Sequence, residues 1–132
     1  MKVLIIDRCA GFKESFACAF KNAPADLILM SAQTLSQAKK KLARNPGIDI
    51  IIWGDIPTSN EDGKLLALIA SYSQNQGRFP PRIISANSSV GHSLYQQALV
   101  ADCTLICDRD ETPKIVRRIM DSLSPIRQLL AV

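Results

Sequence analysis

Residues 48–57 read Ile48-Asp49-Ile50-Ile51-Ile52-Trp53-Gly54-Asp55-Ile56-Pro57. Three consecutive isoleucines and a tryptophan make a continuous apolar run of strand-forming residues. An acid precedes the run; a glycine, an acid and a proline follow it. A strand with one wet face alternates apolar and polar residues. A strand apolar at every position has both faces covered, which is the situation inside a parallel sheet flanked by helices.

Working outward, similar short runs recur at Val3-Leu4-Ile5-Ile6, Asp26-Leu27-Ile28-Leu29-Met30, Arg82-Ile83-Ile84-Ser85 and Thr104-Leu105-Ile106. Between them the apolar period changes to that of a helix. Phe12, Phe16, Ala19 and Phe20 share one helical stripe. Thr34 is placed to cap a second helix that buries Leu35, Ala38 and Leu42 and stops at Pro46-Gly47. A third helix is predicted after Asp62-Gly63, burying Leu65, Leu66, Leu68 and Ile69. A fourth starts at Ser88 or Ser89 and carries Leu94, Ala98 and Leu99. Thr112-Pro113 reads as an N-cap and first helical residue of a fifth, which buries Ile115, Val116, Ile119 and Leu123 and ends at Ser124-Pro125. The expected architecture is one (βα)5 domain over residues 1–123, doubly wound around a parallel sheet, with 124–132 a tail or the start of a linker.

The composition agrees. The chain has 132 residues, 47% hydrophobic and 21% charged, the size and balance of one soluble globular domain. No apolar run is long enough to span a membrane, and Asp7-Arg8 cuts short the apolar start that superficially resembles a signal peptide. The net charge is +4. Lys39-Lys40-Lys41 sits in a helical segment without interleaved aromatics and reads as a solvated face, so nucleic acid is not an expected partner of this domain alone. The cysteines, Cys9, Cys18, Cys103 and Cys107, form no C-x-x-C pair. Cys103 and Cys107 lie roughly 13 Å apart along a strand, too far for a disulfide. Reduced, mostly buried thiols in a cytoplasmic protein are expected.

Ligands of such folds bind beyond the carboxyl ends of the strands. That directs attention to Asp7-Arg8-Cys9, Gly54-Asp55, Ser85-Ala86 and Cys107-Asp108. No Walker or G-x-G-x-x-G pattern supports a nucleotide site. His92 has no sequence partner for catalysis or metal binding, and Trp53 reads as core.

Four segments in order resemble the receiver domain of bacterial response regulators: "VLIIDR" (3–8), "IDIIIWGDIPTSNEDGKLL" (48–66), "RIISAN" (82–87) and "ADCTLICD" (101–108). The likeness covers about residues 2 to 123. It implies a flavodoxin-like five-stranded parallel sheet in order 2-1-3-4-5 and a role in two-component signal transduction or a phosphorelay. In that family clustered acids hold Mg²⁺, which offsets the repulsion between an aspartate nucleophile and a phosphoryl group. A lysine and a Ser/Thr hydroxyl then bond the phosphate and couple it to loop movement.

The resemblance also shows what this chain lacks. Asp7 matches the first family acid, and Arg8 stands where the second belongs. The phosphoacceptor position falls on Gly54, with Asp55 one place late. Ser85 matches the switch hydroxyl, and Cys107 occupies the lysine position. A one-residue slip on a strand re-aims a side chain to the other face, so Asp55 is no simple substitute. Arg8 is expected to pair with Asp7 or Asp55 and to take the cation's place. The pocket of Asp7, Arg8, Gly54, Asp55, Ser85 and Cys107 is therefore expected to be degenerate. The chain is read as a non-enzymatic pseudo-receiver without cofactor or metal, acting by protein–protein contact. The resemblance implies a face built from the fourth helix, fifth strand and fifth helix, here His92, Tyr95, Gln96, Arg109, Lys114, Arg117 and Arg118, for a protein partner or homodimer. Two alternatives remain open: an unconventional phosphoacceptor at Asp55 served by Mg²⁺, and a flavodoxin-like ligand binder.

Overall fold

The computed structural model describes residues 1–20, 26–54, 59–75, 81–85, 104–106 and 109–130. Five strands form one sheet: β1 (Lys2–Ile6), β2 (Ile28–Ala32), β3 (Ile50–Trp53), β4 (Arg82–Ser85) and β5 (Thr104–Ile106). Their order is β2-β1-β3-β4-β5, and every neighbouring pair is parallel. Four helices are described: α1 (Gly11–Ala19), α2 (Leu35–Arg44), α3 (Ser59–Gln74) and α4 (Thr112–Leu130), the last entered through a 3-10 turn, Arg109–Glu111. The helix expected from Ser88 or Ser89 lies outside the described residues.

The central strand decides the layering. Along β3 successive side chains point to opposite sides. Ile51 and Trp53 join Leu4, Ile6 and Ile83 against Ala38 and Leu42 of α2 and Ile69 and Tyr72 of α3. Ile50 and Ile52 join Val3, Ile5 and Ile84 against Phe12, Phe16 and Phe20 around α1 and Val116 and Ile119 of α4. The continuous apolar run is thus two half-cores back to back, and every residue of β3 is buried.

Local signals set most element ends. Thr34 caps α2, its Oγ1 accepting the Gln37 N–H at 3.2 Å, while Gln37 Oε1 accepts the Gln33 N–H at 2.8 Å. Gly47, with φ of 76°, turns the chain after α2 in a conformation open to glycine and strained for other residues. Phe16 and Phe20 stack with centroids 5.6 Å apart, and the Arg117 guanidinium sits 4.5 Å above the Phe20 ring.

Several expectations are corrected. β2 ends at Ala32 rather than Met30, because its length follows pairing with β1 out to Ile6↔Ala32, not the apolar run. Ile48 is buried but precedes β3; its N–H is taken by the Tyr72 hydroxyl. Ala19 is exposed, the stripe closing on Phe20 instead. α3 begins at Ser59, ahead of Asp62-Gly63. α4 continues through Pro125 to Leu130, past the helix end expected at Ser124-Pro125. A proline removes one intrahelical donor and crowds the carbonyl four residues back, but the apolar helical spacing continues through Ile126 and Leu130. Cys9 and Cys18 are exposed rather than buried, Cys18 lying off the Phe12–Phe16 stripe of α1.

Candidate functional site at the carboxyl end of the sheet

β1 and β3 are neighbours at the point where strand order reverses, so their carboxyl ends flank the crevice of the fold. The ladder runs one step past both strands. The Gly54 N–H donates to Ile6 O at 2.7 Å, and the Asp7 N–H donates to Ala32 O at 2.9 Å. With Ile6 paired to Trp53, Asp7 and Gly54 come next in register. Alternation puts both on the side of Ile5 and Ile52, the side of α1 and α4.

Asp7 is 2% exposed, a buried carboxylate at a strand end. Its Oδ1 accepts the Cys9 N–H at 2.7 Å, which ties it to the loop that feeds α1. The same carboxylate leans across the neighbouring strand. A Cβ built on Gly54 would fall onto Asp7 Oδ2, 2.8 Å from its Cγ and 3.2 Å from its Cβ. Real Cβ atoms do not approach so closely, so Gly54 is the residue that lets Asp7 sit there. Gly54 has no side chain, and the space one would need there is occupied by the Asp7 carboxylate.

Arg8 is exposed. The space over Gly54 is taken by the Asp7 carboxylate. Ser85 ends β4 in register with Trp53, one row short of Gly54. Asp55, Cys107, His92, Tyr95 and Gln96 lie outside the described residues. On the expected contact face, Lys114 and Arg118 are exposed one turn apart on α4, whereas Arg117 is half-buried and packs on Phe20 against α1. Arg109 belongs to the 3-10 turn that precedes α4.

A divalent cation needs several oxygen ligands. Among the described residues no group of three or more His, Cys, Asp or Glu could hold a metal ion. Among the described residues the carboxylate beside Gly54 is that of Asp7, which already accepts a backbone N–H and is followed by a fixed cation in sequence. The described residues do not fit Mg²⁺.

The interlock of Asp7 with Gly54 was only half legible. The glycine closing an apolar strand was visible in the sequence. That the neighbouring strand's acid fills the gap depends on cross-strand register, which one sequence does not state. Tyr72 gave no signal beyond its helical spacing from Leu68 and Ile69, yet its hydroxyl ties three segments together: it donates to Asn45 O at 2.6 Å and accepts the Ile48 N–H at 3.0 Å. Burial pushes that hydroxyl's pKa above its ordinary value, against the smaller opposing pull of backbone hydrogen bonds from Ile48 and Gly47.

No family model matches the sequence, and no curated protein matches it. Solved structures do. The chain superposes on a signal receiver domain of a two-component histidine kinase from Clostridium thermocellum with a TM-score of 0.72 at 19% identity, covering 90% of this chain and 96% of that one. It is similar to the receiver domain of a Luxo repressor protein from Vibrio parahaemolyticus (TM-score 0.68, 16% identity, 98% and 95% covered). It is also similar to the response regulator domain of Thermotoga maritima CheB (TM-score 0.66, 18% identity, 92% and 94% covered). At such identities the likeness speaks for the backbone and not for the chemistry, and the chain has the flavodoxin-like fold of response-regulator receiver domains.

Proposed function

We propose that this chain is a signalling module with a receiver fold that acts through protein contacts without being phosphorylated. One observation carries the reading. The Asp7 carboxylate occupies the space a side chain at Gly54 would need, so the matching position has neither a nucleophile nor room for one. An aspartyl phosphate would add at least three oxygens and more negative charge beside a buried carboxylate, an arrangement that needs a compensating cation. Lys114 and Arg118, exposed on α4 and following the Arg109 turn, offer a cationic surface for a protein partner or a second copy.

Intact mass after incubation with acetyl phosphate and Mg²⁺ tests this. The expected result is an unchanged mass. A stable gain of one phosphoryl group, lost in Asp55→Asn, would replace this reading with the unconventional acceptor.

A second reading is favoured by one feature. A cavity of about 380 Å³ opens between α1 and the 3-10 turn, with Phe12, Phe16 and Pro113 as apolar lining and Cys9, Ser15 and Asp110 as polar groups. Its size is in the range of small-ligand clefts. Native mass spectrometry of the purified protein decides: a co-purifying small molecule supports a flavodoxin-like ligand binder, and a bare chain supports the contact module.

A further inference from the structure

We propose that the outward face of α2 is a docking site for an acidic protein segment. Lys39, Lys40, Lys41 and Arg44 are all exposed. No salt bridge reaches them among the described residues. The chain has 16 lysines and arginines against 12 aspartates and glutamates. Setting these four aside leaves the rest in balance, so the net charge of +4 equals the charge of this one helix.

Folding does not explain the cluster. The apolar stripe of α2, Ala38 and Leu42, is buried in the core, and the cations lie around the remaining surface. Lys41 and Arg44 in the last turn favour the negative end of the helix dipole. Lys40 and Lys41 lie four and three residues before Arg44, so these like charges are neighbours on the helix surface and repel.

An apolar contact lies in the same corner. Ile28 is 50% exposed and is the exposed large hydrophobic residue among those described. It pairs with Lys2, whose Nζ donates to Pro46 O just past α2 at 3.0 Å. A partner there meets cations and one aliphatic side chain, which suits a protein segment bearing carboxylates and an apolar residue. A second copy apposing the same face would meet its own charge. A lipid surface needs an apolar helix face to insert, and that of α2 is occupied by the core. Single-stranded nucleic acid needs exposed aromatics for stacking, and every aromatic residue whose burial is described, Phe12, Phe16, Phe20, Trp53 and Tyr72, is buried. The choice of a protein occupant rests on the contact-module reading; the charge distribution stands without it.

The test uses the full chain and a fluorescein-labelled peptide with glutamates at i, i+4 spacing and leucines between. Fluorescence anisotropy at low salt is expected to show saturable binding that weakens as salt is added. Lys40→Glu with Arg44→Glu is expected to weaken it at least tenfold, and Lys13→Glu on α1 less than twofold, with circular dichroism unchanged in all variants. Three results overturn the proposal: no peptide binding, no greater loss at α2 than at Lys13, or tighter binding of duplex DNA or phosphatidylserine vesicles than of the peptide. A phosphoryl adduct would overturn the contact-module reading and leave the anisotropy result standing. Lost peptide binding would remove this site and leave the mass result untouched.

Discussion

The two ends of the β1–β3 pair each hold an aspartate that accepts a backbone N–H, and they use it differently. At the amino end, Asp49 Oδ2 accepts the Lys2 N–H at 2.8 Å, while the Asp49 main chain bonds both Lys2 O and the Arg82 N–H. Tyr72 adds its two hydrogen bonds alongside. Those bonds join residues far apart in sequence, so this end is a clamp across the chain. At the carboxyl end, Asp7 Oδ1 accepts an N–H only two residues away, its other oxygen crowds Gly54, and Trp53 buries an indole N–H that has no partner among the described residues. Polar groups at the clamped end are satisfied by fold-wide geometry. At the other end the main chain is paired just as widely, Gly54 to Ile6 and Asp7 to Ala32, and the contrast lies in the side chain: the described bond of the Asp7 carboxylate stays within its own loop, where a fold of this class keeps its working residues.

The sharpest way to break that contrast is to put a methyl group on Gly54. Gly54→Ala forces the buried Asp7 carboxylate to move or the strands to part. The expected cost is about 3 kcal/mol, the upper part of the overpacking range, because Asp7 is short and held by Cys9. Urea unfolding measures it. In an Asp7→Ala background the same substitution is expected to cost under about 1 kcal/mol, since the obstructing atoms are gone. Equal costs in the two backgrounds would mean that Asp7 does not occupy that space.

At the clamped end, Tyr72→Phe keeps the ring and removes the oxygen. The Ile48 N–H and the Asn45 carbonyl lose their partner, and a buried N–H left unsatisfied costs about 2 kcal/mol. The same hydroxyl gives a pH dependence. Its folded-state pKa is raised above the unfolded 10.0, chiefly by burial. The unfolded chain therefore loses this proton first as pH rises. The contribution is complete below pH 10 and is lost as pH climbs from there through the folded value. Unfolding free energy measured into the alkaline range is expected to fall less steeply in Tyr72→Phe than in the parent protein. Identical slopes would place the hydroxyl in water.

These two ends also mark what the sequence could tell. The sheet was legible because β3 is apolar at every position and because β1, β4 and β5 carry runs that coincide with their ladders. Strand β2 was misplaced by two residues because Ser31 and Ala32 look neutral in a hydropathy reading and are ordered by pairing with Ile5 and Ile6. The cap at Thr34 and the turn at Gly47 were legible because each acts through its own side chain or its lack of one. At the site, Gly54 was visible as the residue that breaks the apolar run. The occupant of its space was not, since that depends on which residue of β1 stands opposite. Arg8 drew attention as the odd charge and turned out exposed, while its neighbour Asp7 went inward. Strand alternation settles that difference only once it is known which face each half-core covers.

The smallest expected effect is the most diagnostic of the carboxyl end. Trp53 is 2% exposed and packs with Ile6, Ile51 and Ile83. Truncating it to alanine removes a large core ring and is expected to cost about 3–5 kcal/mol. Trp53→Phe is different, because two contributions oppose. The smaller ring forfeits apolar contact and leaves a partial cavity. It also deletes a buried donor with no partner among the described residues, and with it a desolvation cost of about 1–3 kcal/mol. The sum is expected within about 1 kcal/mol of zero by urea unfolding. A cost near 3 kcal/mol would mean that the indole N–H is satisfied by a group supplied from the loops around Gly54, and the carboxyl end would then be as tightly stitched as the amino end. A near-neutral result keeps the two ends distinct: one built for holding the sheet together, the other carrying an unmet hydrogen bond beside a glycine that makes room for an acid.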